Sequence, residues 1–328
     1  MSLTRSLPIL ALTLLLGATA VSAQQKSLPE QIADVIVQLN GGIHTGFRFM
    51  HAKGLVVTGT FTAAPSARSI SKAAHLAGAP VPVTVRFSDG TGNPMIPDVD
   101  THGAPRGMAI RFGLPGGAYT DIVAVSHNGF VVGTGEDFLA FLTAVSKTTP
   151  KSPHPNPVEQ FLGGHPRALK FLQDVQPLPS SFATLAYFGN NAFVFVDSAG
   201  TKRAGRYQIL PVAGITTLDS AAAAKAGPNY LFDDLRRRLT KGPVQFRLVA
   251  QMANPGDQTI DGSMVWPAAR RLVELGTISL PTVAPDNDAL QQSLAFSPII
   301  LTPGIQLSDD PLPILRASVY ALSVAHRH

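Results

Sequence analysis

Hydrophobic positions crowd the first twenty residues of the chain and then disperse. An apolar run from Leu7 to about Ala20 follows Arg5 and closes on the small-residue triplet Val21-Ser22-Ala23. A basic start, an apolar stretch too short for a comfortable membrane span and small residues at its end predict an export signal over 1–23. No comparable apolar stretch follows, so no stable membrane insertion is expected after cleavage, and the destination is periplasmic or secreted. The remainder, 24–328, reads as one domain, because no repeat or low-complexity tract divides it.

Beyond the signal, Pro29 to Leu39 carries apolar residues at helical spacing and stops at Gly41-Gly42. A series of β-branched and aromatic runs bounded by turn formers then predicts strands at 55–61, 81–87, 107–112, 121–125, 193–196, 206–211 and 244–252. Helical spacing recurs at 136–146, 157–174, 230–239 and 314–325. The balance predicts an α+β fold, a mainly antiparallel sheet that is curled or closed, with helices packed outside it.

Composition narrows the chemistry. The chain of 328 residues is 45% hydrophobic and has no cysteine, so an exported protein of this size must rely on a large buried core. The same zero removes thiolate catalysis, Cys-ligated zinc and Cys-ligated haem or iron–sulfur chemistry. A formal net charge of +5 is mild, and its bases are scattered apart from Arg236-Arg237-Arg238, which reads as a solvated helix face. No nucleic-acid partner is expected. Asp98-x-Asp100-x-His102 opens like a calcium loop, yet the twelfth position is Ala109, where a bidentate Glu is required.

Three segments carry candidate chemistry. Arg316 and Tyr320 stand four residues apart on a predicted helix and so share a face. A guanidinium against a phenol favours the phenolate, a hard anionic ligand suited to ferric iron. His51, in Arg48-Phe-Met-His51-Ala-Lys-Gly54, is a candidate proton carrier, since histidine titrates near neutrality. Arginines alternate with apolar residues in Val85-Arg86-Phe87-Ser88 and Pro105-Arg106-Gly107-Met-Ala-Ile-Arg111-Phe112, a pattern suited to a ligand that carries carboxylates.

In order along the chain these blocks resemble the haem catalases, specifically the small exported catalase-related peroxidases. Tyr187-Phe188-Gly189, Val265-Trp266-Pro267 and Ala295-Phe296-Ser297-Pro298 add to the likeness, which runs from about Phe47 to Arg327. The resemblance implies an antiparallel eight-stranded β-barrel with surrounding helices and a buried haem b. It implies His51 as the distal acid/base supported by Ser88, Tyr320 as the iron ligand and Arg316 as its charge partner. Arg48, Arg86 and Arg327 match positions that anchor propionates, and Phe87 and Phe138 fall near positions that line the haem.

The resemblance also implies a peroxide substrate and, for peroxidase turnover, a small-molecule reductant that the sequence does not identify. Larger catalases carry a distal Asn after an Asp-x-Val-like strand; here the stretch reads Asp121-Ile-Val-Ala-Val-Ser126-His127-Asn128, with Asn128 displaced by a few residues and Ser126 as the other polar candidate. The expectation is therefore peroxidase activity rather than fast disproportionation. A hydroperoxide isomerase and a non-catalytic haem-binding protein are the alternatives.

Overall fold

The computed structural model describes residues 25–174 and 176–327; the expected export signal over 1–23 lies outside them. Among the described residues, ten strands form one antiparallel sheet. They are β1 (Gly54–Ala63), β2 (Val81–Ser88), β3 (Gly107–Gly113), β4 (Tyr119–Val125), β5 (Tyr187–Phe188), β6 (Phe193–Val196), β7 (Lys202–Pro211), β8 (Val244–Met252), β9 (Leu272–Val283) and β10 (Ile305–Leu307). Eight of them close on themselves: β1 through β5 lead to β7, which pairs with β8, and β9 returns to β1. Closure leaves β6 and β10 as an appendage on β7.

The barrel forms because alternate residues of each strand are large and apolar. Leu55, Val57 and Phe61 of β1, Val83, Val85 and Phe87 of β2, and Met108, Ile110 and Phe112 of β3 all belong to one buried cluster. With a side-chain period of two, the intervening residues face outward. Across β1 to β4 this outer face presents two rows in register: Gly54, Ser88, Gly107 and Val125, then Val56, Arg86, Ala109 and Val123.

Eight helices among the described residues accompany the barrel: α1 (Leu28–Leu39), α2 (Gly135–Lys147), α3 (Pro157–Gly164), α4 (Pro166–Gln173), α5 (Ser220–Lys225), α6 (Tyr230–Leu239), α7 (Asn287–Ser293) and α8 (Leu312–Ala325). Helices α1, α2 and α8 share an apolar cluster that includes Ile32, Ile36, Leu142 and Val319, joined by Phe49 from the loop before β1. The α7 segment covers the outer face of β1 through Leu290, Leu294 and Phe296, packed on Val56.

Two expectations change. The helix expected over 157–174 is two helices, because Pro166 lacks the N–H for a bond back to the previous turn and its ring crowds the carbonyl there. The twelve-residue β9 had no counterpart in the expected strands, since Gly276 and Pro281 interrupt its pattern. Gly276 takes φ +153 where the register with β8 shifts, and a Cβ there would lie 2.3 Å from the Thr62 carbonyl oxygen. Only glycine fits that bulge.

Candidate active site

The loop from Arg48 to Lys53 and helix α8 supply the two halves of the site, and they are tied together. The Phe49 N–H donates to Ser323 Oγ at 3.0 Å, and the Phe49 ring lies 5.2 Å from that of His326. His51 follows at φ +58, the single non-glycine residue at positive φ among the described residues. Such a backbone costs energy and recurs where a side chain must be aimed. The imidazole reaches β2, where its Nδ1 lies 3.0 Å from Ser88 Oγ.

Withdrawal from water, then the charges of Arg86 and Arg316, lower the His51 pKa to about 3, against a smaller opposing effect of a backbone hydrogen bond with Asp89. His51 is therefore neutral at any physiological pH.

On α8, Arg316 donates to Tyr320 Oη from Nη2 at 2.9 Å and from Nε at 3.2 Å. Two N–H groups of one guanidinium thus converge on the phenol oxygen and fix its position on the helix. Arg316 is held in turn: its Nη1 donates to Asn191 Oδ1 at 2.6 Å, and Asn191 Nδ2 donates to Asp310 Oδ2 at 2.8 Å. The other Asp310 oxygen accepts from the Leu312 N–H, in the first turn of α8, at 2.9 Å. One carboxylate thus secures the helix end and the arginine four residues into it.

A second cationic group lies over the outer face of the barrel. Arg48 donates to the carbonyls of Gln291 (2.7 Å) and Leu294 (2.6 Å), and Arg327 donates to the Leu294 carbonyl at 3.0 Å. Arg86 donates to Gln291 Oε1 (2.7 Å) and the Ala52 carbonyl (3.0 Å). None of the three is ion-paired to a carboxylate among the described residues, and Arg327 Nε is buried without a partner. Burial, then the charge of Arg327, lowers the Arg48 pKa to about 9; burial, then Arg48 and Arg327, pushes Arg86 down as well. Three mutually repelling cations, held by backbone carbonyls and an amide and offset only by the Asp89 charge acting on Arg86, are short of negative charge. An anionic group would relieve them.

The donor set therefore fits a haem: a phenol oxygen of the kind that binds ferric iron, an imidazole on the loop tied to the same helix, and guanidiniums without carboxylates for propionates. His51, Ser88, Arg48, Arg86, Arg316, Tyr320 and Arg327 are brought together. Phe87 is not, because alternation on β2 turns it into the barrel, where its ring lies 5.6 Å from Phe182 and 5.9 Å from Phe246. Phe138 sits in the helical cluster with Val319 of α8, against Phe130.

Of the two polar candidates after β4, Ser126 is committed to the fold, since its Oγ accepts from the Arg106 N–H at 2.9 Å. Asn128 stands beside Gly129, whose N–H and carbonyl are both bonded to the Asn190 amide. Asp98 serves no calcium loop: it pairs with Lys53 and accepts from the Leu231 N–H. Sequence reasoning missed Asn191, Asp310 and Gln291. An Asp just before an apolar helical run is a helix-start signal, which could have found Asp310; Asn191 falls in the family-like stretch from Tyr187 to Phe193, and nothing local marks Gln291.

A family model described as catalase matches residues 45–328. The chain is 38% identical over 304 residues to a catalase-related peroxidase of Mycolicibacterium paratuberculosis, covering 91% of this chain and 94% of that protein. It is 31% identical over 315 residues to a catalase-related peroxidase of Synechococcus elongatus, covering 94% of this chain and 91% of that protein. Among solved structures, catalase A from Saccharomyces cerevisiae superposes with a TM-score of 0.74 at 21% identity, over 87% of this chain and 62% of the yeast chain.

Proposed function

Since this chain belongs to the catalase family, we propose that it is an exported haem peroxidase that reduces hydrogen peroxide or organic hydroperoxides with electrons from an external small-molecule donor. The observation that carries the reading is the double donation of Arg316 to Tyr320 Oη, on a helix bonded through Ser323 to the loop that bears a histidine kept neutral by its surroundings. Tyr320 would hold the iron, and Arg48, Arg86 and Arg327 the propionates. With no cysteine for a thioether bond, the group would be held without covalent attachment, as haem b.

Bound haem supplies the redox-active iron at which the O–O bond is cleaved. The protein's part is proton transfer. With Nδ1–H donating to Ser88 Oγ, Nε2 of His51 is the ring atom that would take the proton from the peroxide. The imidazolium so formed sits among guanidiniums that disfavour it, so it returns the proton readily to the departing oxygen, which leaves as water or an alcohol. Two electrons from the donor and two protons complete the reduction, so that each peroxide yields water and a second water or an alcohol.

Arg5, the apolar run from Leu7 and Val21-Ser22-Ala23 support export. Sequencing the N-terminus of the mature protein is expected to find Gln24 first, whereas an intact Met1 would count against the cleavage. The catalytic reading is tested on haem-loaded protein by optical spectroscopy and a peroxide assay. Tyr320→Phe is expected to change the haem spectrum, whereas His51→Ala keeps haem and loses about 100-fold or more in the rate of peroxide cleavage. An unchanged spectrum in Tyr320→Phe, or full activity in His51→Ala, removes the role assigned to that residue.

A further inference from the structure

We propose that Gly107 is a positioning residue for His51, its missing side chain leaving the space against which the imidazole is seated; the catalytic consequence rests on the function proposed above. A Cβ built on Gly107 would lie 2.6 Å from Ser88 Oγ, 2.7 Å from His51 Nδ1 and 2.9 Å from His51 Cε1. The backbone does not demand glycine, since Gly107 holds ordinary strand register between Ser88 and Val125 and is not among the glycines at positive φ. What demands it is the hydrogen-bonded pair that faces it, the Ser88 hydroxyl and the His51 ring.

Neither side of this contact can retreat. Gly107 is pinned from the preceding residue, because the buried Arg106 guanidinium donates to Asp89 Oδ1 (2.6 Å) and to the Gly103 carbonyl (2.8 Å), and its backbone is paired with Ser126. His51 is fixed by its φ of +58, by Ser88 at Nδ1 and by the anchoring of Phe49 on α8. An alanine at 107 must therefore move the Ser88 hydroxyl and the imidazole bonded to it, and with them the Nε2 atom. Reaction rates in aligned sites fall steeply with such shifts, by about 100-fold for roughly 1 Å.

The test compares haem-loaded wild type, Gly107→Ala, His51→Ala and the double variant. Their melting temperatures form a double-mutant cycle. Gly107→Ala is expected to lower the melting temperature in the wild-type background and to cost less than half as much once the His51 ring is gone. Equal penalties in the two backgrounds overturn the proposal. If Gly107→Ala does not accumulate at all, recovery of folded protein in the double variant supports it, and failure of the double variant to accumulate overturns it.

Two rates separate positioning from general damage. Stopped-flow mixing with hydrogen peroxide is expected to show Gly107→Ala reacting about 10- to 100-fold more slowly than wild type. Nitric oxide, whose binding to iron needs no proton transfer, is expected to associate at the wild-type rate. Gly113→Ala crowds Pro82 Cγ at 2.9 Å on the same strand and is expected to leave the peroxide rate unchanged; an equal loss there overturns the assignment. Coupled melting with an unchanged peroxide rate in Gly107→Ala overturns the positioning role. Only if His51→Ala also keeps its full rate does the reading of His51 fail.

Discussion

Buried histidines divide by what their surroundings permit. His75, 1% exposed among Phe61 and Phe112, has its pKa lowered by burial to about 4. An unfolded histidine titrates near 6.5, so between those values the unfolded chain binds a proton that the folded one does not. Stability is then complete above about pH 6.5 and falls as pH drops toward 4, by up to about 1.4 kcal/mol per unit. His51, at about 3, acts in the same direction over a longer range. Replacing His75 by Leu is expected to reduce the loss between pH 7 and 4.5, measured by urea unfolding, by about 2 kcal/mol. An unchanged pH dependence would show that His75 is not a source of acid sensitivity. The sequence could not separate these two histidines by type; His51 stood out through its neighbours, and the burial of His75 is a property of the closed barrel.

Helix α8 shows how an element carries chemistry. Its sequence marks a helix and puts Arg316 above Tyr320, and the structure bears out that pairing. What positions the pair comes from elsewhere in the chain: Asn191 lies between β5 and β6, and Asp310 precedes the helix. Asp310→Ala removes acceptors for both the Leu312 N–H and the Asn191 amide, and is expected to cost about 1–3 kcal/mol of unfolding free energy in a denaturant titration. It should also weaken haem retention, because Arg316 loses its orientation; normal stability together with normal haem affinity would exclude this role. Elements with clean periodicity, α1 and β2 among them, were legible within a residue or two. Strand β9 was not, because a glycine and a proline inside it are tolerated only by a bulge against its neighbours.

At the scale of the molecule, two charge networks flank the loop from Arg48 to Lys53 and behave oppositely. Arg48, Arg86 and Arg327 form a buried excess of positive charge, whereas Lys53, Asp89, Asp98 and Arg106 balance one another and bind the ends of β1, β2 and β3 to α6. Removing one cation from the balanced set strands a carboxylate in the interior. Lys53→Met is expected to destabilise the protein by about 3–5 kcal/mol, with partial recovery when Asp98→Asn is added; a neutral effect in chemical denaturation would exclude a structural role for the network. By itself, the sequence determined the class of the fold, the helix that carries Arg316 and Tyr320, and the order of the blocks, because these depend on local periodicity and on residues near one another in the chain. Barrel closure decided the rest. It turned Phe87 inward and Arg86 outward, brought α7 over the outer face, and set His51 against Gly107, because such contacts join residues up to some 250 positions apart that no local pattern couples.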